Sequence, residues 1–281
     1  MAELDRAHSR NFSELKRRPF RELLARVGAA SPRRVVHVGC GPGVSTVELV
    51  RRWPEAEVEG IDSDPEAVNM ARRQGLSASV GFAARWAPGP RVDVVVCSGV
   101  LQAVPGHVEV LERWVRTLSA GAWVAVMLPN DFGAPSHVVA EEMCEEPQWR
   151  ARLGGVLGAA DVVRPPREYA QRLAGLGCTV DVWESTYVPR MPVNDFLMLT
   201  VGTVLRPVWA ALNDEDDIKR FHAEFKARLP QAYAHSVLPG EVVGGAWMPF
   251  RRIFVVAQTP VAPSSSPHRS TRTPQDRGFK R

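Results

Sequence analysis

Between Arg34 and Leu128 short apolar runs alternate with amphipathic stretches. RVVHV (34–38) is followed by a helical pattern from Ser45 to Trp53, then VEGID (58–62), a helix opened by Asp64 and Pro65, VDVVVCS (92–98) and AWVAVML (122–128). Runs that are apolar without alternation are strands buried on both faces, the condition of a parallel sheet with helices on either side. Strands and helices taken in turn are βαβ units. The chain is therefore expected to form an α/β, doubly wound, mostly parallel sheet.

Outside this block the pattern changes. Phe12, Leu15, Phe20, Leu23, Leu24 and Val27 recur at helical spacing, so residues 9–28 read as an amphipathic helix covering one side of the sheet. Beyond Pro129, residues 131–165 read as loop and helix, 166–176 as a helix closed by glycine, and CTVDVWESTYV (178–188) as a strand. Residues 192–233 carry helical patterns around FLMLTVGTVL and DIKRFHAEFKARL and no strand, and RRIFVVAQ (251–258) is a last strand. The expected organisation is a lead-in or lid over 1–30, a main domain over 31–258 with a helical insertion at about 131–165 and 192–233, and a disordered tail over 259–281.

That tail distorts the charge balance. The sequence holds 35 Lys+Arg against 31 Asp+Glu, but residues 259–281 contain five of the former and one of the latter, leaving 30 of each for residues 1–258. The body is formally neutral, which gives no footing for nucleic acid as a partner. Cys40, Cys97, Cys144 and Cys178 are far apart and lack metal-ligand spacing, so no metal site is expected, and a reduced, cytoplasmic protein is. No apolar stretch approaches the ~18 residues of a membrane span.

The chemistry begins at VVHVGCGPGVST (35–46), a strand running into Gly39-x-Gly41-x-Gly43 and then a helix. Such a loop offers backbone N–H groups and a close, Cβ-free approach to a ligand at the strand's carboxyl end. The dinucleotide spacing G-x-G-x-x-G fails, because Val44 and Thr46 stand where its third glycine would. Asp62, closing VEGID about 20 residues on, is placed to accept ribose hydroxyls. Loop and acid together point to a nucleoside cofactor without a pyrophosphate. Asp62 could instead cap the next helix, although Asp64 is better placed for that.

These two motifs resemble those of class I S-adenosylmethionine-dependent methyltransferases. The stretches RRPFRELLARV, VVVCSGVLQAVPGH, LPNDFGAPSH, VDVWESTY, VGTVLRP and PFRRIFVVA are similar, in order and spacing, to those of the trans-aconitate 2-methyltransferase family, across roughly residues 9–258. The resemblance implies a seven-stranded Rossmann-like sheet, S-adenosyl-L-methionine as cofactor, a small anionic carboxylate as substrate and its monomethyl ester as product. It places His37, Gly39, Gly41, Gly43, Asp62, Phe82 and Ser98 around the cofactor, and Gln102, His137, Tyr187, Arg206, Arg251 and Arg252 around the substrate. Catalysis is then placement, with no acid or base, because the acceptor is already a carboxylate. Arg251 and Arg252, adjacent on a strand, should point to opposite faces. Tyr187 could equally anchor a loop to the sheet, and His137 could serve a structural hydrogen bond.

The sequence also departs from the family pattern. His37 and Phe82 stand where aspartates are usual, Ser9 replaces a larger polar residue, and Ser98 and Ala103 replace an asparagine and a tryptophan. Each lost charge-assisted hydrogen bond would weaken cofactor binding by ~1.5–3 kcal/mol. A cationic His37 would repel the cofactor, so affinity is expected to rise with pH through the His37 titration, and His37→Asp to tighten binding at pH 6. Two other readings stay open: methylation of a different small acid, and a non-catalytic methyltransferase-like module.

Overall fold

The computed structural model describes residues 17–157, 163–191, 204–233 and 246–261, without the side chains of 190, 191 and 246. Ser9, the first half of the 9–28 helix, most of the FLMLTVGTVL pattern and the tail from residue 262 lie outside the described residues.

A first helix, α1, occupies residues 17–25. The alternating block follows as β1 (Arg34–Val38), α2 (Thr46–Arg52), β2 (Glu57–Asp62), α3 (Pro65–Arg73), β3 (Ser77–Val80), β4 (Val94–Ser98), a 3-10 turn (Leu101–Ala103), α4 (His107–Thr117) and β5 (Trp123–Pro129). Next come α5 (Pro135–Cys144), α6 (Pro147–Leu153), α7 (Pro166–Ala174), β6 (Thr179–Tyr187), β7 (Arg190–Met191), α8 (Arg206–Ala211), α9 (Glu215–Ala232), β8 (Ala246–Trp247) and β9 (Phe250–Gln258).

Seven strands form one sheet in the order β3-β2-β1-β4-β5-β9-β6, with β7 and β8 as a separate pair. The five strands from β3 to β5 are mutually parallel, and β9 runs antiparallel to both β5 and β6. The order reverses between β1 and β4, which opens a crevice at their carboxyl ends. Because β9 is antiparallel, its first residues lie beside the last residues of β5, with Arg252 opposite Pro129. The arginine pair is thereby delivered to the same edge as the glycine loop.

Alternation along the strands separates two cores. Val36, Val38, Cys97, Leu128, Ile253 and Val255 pack on one side with Leu111 and Trp114 of α4 and Tyr169 and Leu173 of α7. Val35, Val94, Val96, Ala125, Met127, Phe254 and Val256 pack on the other with Phe20, Leu23, Leu24 and Val27. Each of these four lead-in side chains is buried, a contribution of about 1.5–3 kcal/mol apiece that holds α1 against the sheet. A third core, which includes Met143, Trp149, Leu153, Val208, Phe221, Phe225 and Leu229, joins α5, α6, α8 and α9 into a helical layer. That layer begins at α5, just past the carboxyl end of β5.

Two elements escape the sequence pattern. β3, SASV, is an edge strand of four residues with a single buried position, Ala78, so it carries no apolar run. The β7–β8 pair is two residues per strand, below any periodicity.

Candidate functional site

The glycine loop is shaped by contacts on both sides of the switch point. The N–H groups of Gly39 and Cys40 both donate to the Ile61 carbonyl, at 2.7 and 3.1 Å, which curls the chain out of β1 toward the end of β2. Gly39 has φ +79°, and a Cβ there would lie 2.0 Å from Cγ2 of Val100, on the segment after β4. The two lips of the crevice therefore touch, and only glycine fits between them. Gly41, at φ +53°, has nothing within 4 Å of its absent Cβ, so its open side is available to a ligand. Gly43, which donates from its N–H to the Cys40 carbonyl at 3.0 Å, closes the turn before α2.

Asp62 supports the loop directly. Its Oδ2 accepts from the Gly41 N–H at 2.7 Å and its Oδ1 from the Asp64 N–H at 3.0 Å. The cap of α3 is Asp64, whose Oδ1 accepts from the Glu66 N–H at 2.9 Å, so the capping alternative for Asp62 falls away. Each carboxylate oxygen of Asp62 keeps a lone pair for a hydroxyl.

His37 sits beneath this loop at 1% exposure. Its Nδ1 is 2.8 Å from Oγ1 of Thr46, the first residue of α2, and its ring lies 5.5 Å from that of Phe20. Burial pulls its pKa down to about 4, against a smaller upward pull from Asp62. The ring is therefore neutral at pH 7, and the expected titration near pH 6.5 moves below the range in which it could repel a cofactor. Its Nε2 is buried with no partner. Phe82, after β3, is 55% exposed and lies under Arg85, whose guanidinium carbon is 5.9 Å from the ring centroid.

Across the crevice, Ser98 ends β4, and Gln102 folds back so that its Nε2 donates to the Gly99 carbonyl at 2.7 Å while its Oε1 stays buried without a partner. Ala103 is exposed. His137, on the first turn of α5, stacks edge-on against Phe132 at 5.5 Å and has an unpartnered, buried Nδ1. Burial holds it below the ordinary imidazole range, with Asp131 opposing that shift and Arg252 adding to it. Of seven buried side-chain polar atoms without a partner among the described residues, three, His37 Nε2, Gln102 Oε1 and His137 Nδ1, belong to residues assigned to the site. Buried polar atoms without partners are rare, and a ligand that fills the crevice is one way to satisfy them.

The remaining candidates divide. Arg251 and Arg252 both reach the carboxyl edge, on opposite faces. Arg251 donates from Nε and Nη2 to Oε1 of Glu184, and Arg252 donates from Nη1 to Oδ2 of Asp131. Tyr187 is 7% exposed and its hydroxyl donates to the Glu22 carboxylate, while the Arg18 guanidinium lies over its ring at 5.4 Å. This is the anchoring geometry, tying α1 to β6. Arg206 is the exposed first residue of α8.

Thr46, Glu22, Asp131 and Glu184 were not identified from the sequence. Each acts through a partner brought to it by the fold, at separations of 9 to 165 residues. Only Asp131, an acid two residues past a strand in LPNDF, carries a local signal.

Residues 35–121 match the model of a methyltransferase domain. Over 250 residues the chain is 47% identical to a trans-aconitate 2-methyltransferase of Rhodococcus jostii, an alignment that covers 88% of this chain and 96% of that one. Over 252 residues it is 40% identical to a trans-aconitate 2-methyltransferase of Mycobacterium tuberculosis, covering 88% and 93%. The solved structure of the YcgJ protein of Bacillus subtilis has a TM-score of 0.56 at 10% identity, covering 86% of this chain and 98% of that one, a likeness of fold alone.

Proposed function

This chain belongs to the trans-aconitate 2-methyltransferase family, and on that premise we propose that it transfers a methyl group from S-adenosylmethionine to one carboxylate of trans-aconitate, releasing the monomethyl ester. The observation that carries this reading is the placement of an open glycine cradle and the start of β9, with Arg252 held by Asp131, at one carboxyl edge of the sheet.

The cradle fits the cofactor. Gly41 leaves space where a Cβ would stand, Asp62 keeps acceptor capacity for ribose hydroxyls, and the unpartnered Nε2 of neutral His37 can accept from the methionyl ammonium. Phe82 offers an exposed ring for the adenine. When bound, S-adenosylmethionine supplies an electrophilic methyl group on a sulfonium.

The protein then has only to place the acceptor. With a pKa near ~4, the substrate carboxylate is ionised at pH 7 and attacks without a general base. A C–O bond forms as the C–S bond breaks, and no proton changes hands. Ser98 and Gln102 stand on the β4 side of the crevice, opposite the glycine loop, where donor and acceptor meet in this reading, and the start of β9 holds the carboxylates that do not react. Excluding water strengthens that attraction and aligns the attack. Tyr187 contributes by fixing α1, and His137 by contacting the substrate beside Asp131 and Arg252. Arg206 is assigned to the substrate from the family resemblance alone. The four buried, unpaired thiols support a reducing, cytoplasmic setting; among the described residues no helix is long and apolar enough to cross a membrane.

Small residues at Ser98 and Ala103 favour a second reading in which a different small acid is methylated. Methyl-labelled S-adenosylmethionine and a panel of mono-, di- and tricarboxylates distinguish the two. The proposal expects base-labile label on trans-aconitate above all other acids; preferential label on a different acid supports the second reading.

A further inference from the structure

The two adjacent arginines of β9 differ in every respect that matters for holding a carboxylate. Arg251 is the more exposed, with 52% of its side chain accessible against 23% for Arg252. Its Nε and Nη2, the edge that grips a carboxylate side-on, already bind Oε1 of Glu184 at 2.9 and 2.6 Å. The other oxygen of Glu184 takes the Asn130 side-chain amide at 2.6 Å, so Arg251 belongs to a closed network. Arg252 uses Nη1 alone, toward Asp131 Oδ2 and the Arg251 carbonyl, and among the described residues no hydrogen bond occupies its Nε and Nη2.

The faces differ too. Arg252 alternates with Phe254 and Val256, and so projects on the side of the sheet that carries Val35 and Val96. His37, Asp62 and Ser98 share that side, because each lies at an even step from Val35, Val58 or Val96 on its own strand. Arg251 projects on the opposite side with Ile253.

We propose that Arg252, and not Arg251, is the arginine that grips a substrate carboxylate, and that Asp131 is the positioning residue that aims it. The inference rests on the reading of this edge as the substrate site. Asp131 bridges two elements: Oδ1 accepts from the Arg251 backbone N–H at 2.5 Å, which fixes the carboxylate to the start of β9, and Oδ2 holds one end of the Arg252 guanidinium. A planar fork held at Nη1 presents its remaining edge in one orientation, so less freedom is lost when a carboxylate docks. His137, in the first turn of α5 six residues past Asp131, has a buried, unpartnered Nδ1.

Asp131→Asn separates the two duties of the carboxylate. The amide oxygen still accepts from the Arg251 backbone, while the amide nitrogen cannot accept from Arg252. The full-length variants Arg252→Ala, Asp131→Asn and Arg251→Ala are compared for KM and kcat with trans-aconitate, and for S-adenosylhomocysteine affinity by calorimetry. Loss of a charge-assisted pair predicts a KM raised about 10- to 100-fold in Arg252→Ala and about 10-fold in Asp131→Asn, with cofactor affinity unchanged; Arg251→Ala stays within about threefold of wild type. A purely structural role would lower kcat and cofactor binding together.

A second readout needs no turnover. In wild-type protein with 15N-labelled arginine, trans-aconitate added with S-adenosylhomocysteine should move the Nε resonance that disappears in Arg252→Lys, and leave the Arg251 resonance in place. A larger kinetic loss in Arg251→Ala, an unchanged KM in Asp131→Asn, or movement of the Arg251 signal alone overturns the proposal. A wild-type chain that binds but does not methylate trans-aconitate counts against the assigned reaction instead, and leaves the resonance test to decide between the arginines.

Discussion

At the scale of single residues, His37 shows how far burial can change a side chain's meaning. As a histidine in a cofactor loop it reads as a group that titrates near neutrality; at 1% exposure, with a pKa of about 4, it is a neutral ring. Wild-type cofactor affinity is accordingly expected to be flat from pH 5.5 to 8 by calorimetry, and a rise across that window would contradict the burial argument. Fold stability carries the titration instead. The unfolded imidazole, with an ordinary value of 6.5, binds its proton before the folded one does, so stability is full above pH 6.5 and falls as pH drops toward 4. The loss amounts to about 3 kcal/mol at most, and should shrink in His37→Gln when denaturant midpoints are compared at pH 4.5 and 7. Gly39 and Gly41 make a second residue-scale test. Gly39→Ala forces a Cβ to within 2.0 Å of Val100 and should destabilise the fold by about 1–3 kcal/mol or more. Gly41→Ala has free space, costs about 1–2 kcal/mol in backbone conformation, and should lose cofactor affinity about tenfold or more. If Gly41→Ala binds cofactor like wild type, the open side of the loop does not face the ligand.

At the scale of elements, the legible strands were those whose burial on both faces leaves an apolar run. β4, with Val94 to Cys97 all buried, is the clearest, and β9 with Ile253 to Ala257 is the next. β3 was missed because an edge strand needs no such run. Site residues followed the same division. Glycines and a strand-end acid announce themselves locally, whereas Glu22, Asp131 and Glu184 matter only through the register that places them against Tyr187, Arg252 and Arg251. The Tyr187–Glu22 bond is the clearest case of one element fixing another. Burial, then the hydrogen bond and charge of Glu22, raises the pKa of the Tyr187 phenol well above its ordinary value, so it remains a donor at physiological pH. Tyr187→Phe should destabilise the protein by about 1 kcal/mol and speed proteolysis of the α1 segment, with the sheet intact. Unchanged protease sensitivity would show that the apolar contacts of Phe20, Leu23, Leu24 and Val27 hold α1 unaided.

At the scale of the molecule, a doubly wound sheet and a helical layer meet over one carboxyl edge. The sheet supplies a cradle at the switch point, an antiparallel β9 returns two arginines to that edge, and α5 leads from it into the third core. That convergence depends on strand order and could not be read from the spacing of residues along the chain; the family resemblance supplied it in outline. The central claim is that placement alone drives transfer to an ionised carboxylate. The most direct measurement is product analysis after incubating the wild-type protein with S-adenosylmethionine carrying a 13C-methyl group and with trans-aconitate. The account predicts one methyl ester carbon per S-adenosylhomocysteine released, lost on mild base treatment, at a rate flat above the substrate's carboxylate pKa values. Label on carbon or on protein, or no ester despite bound cofactor, would contradict it.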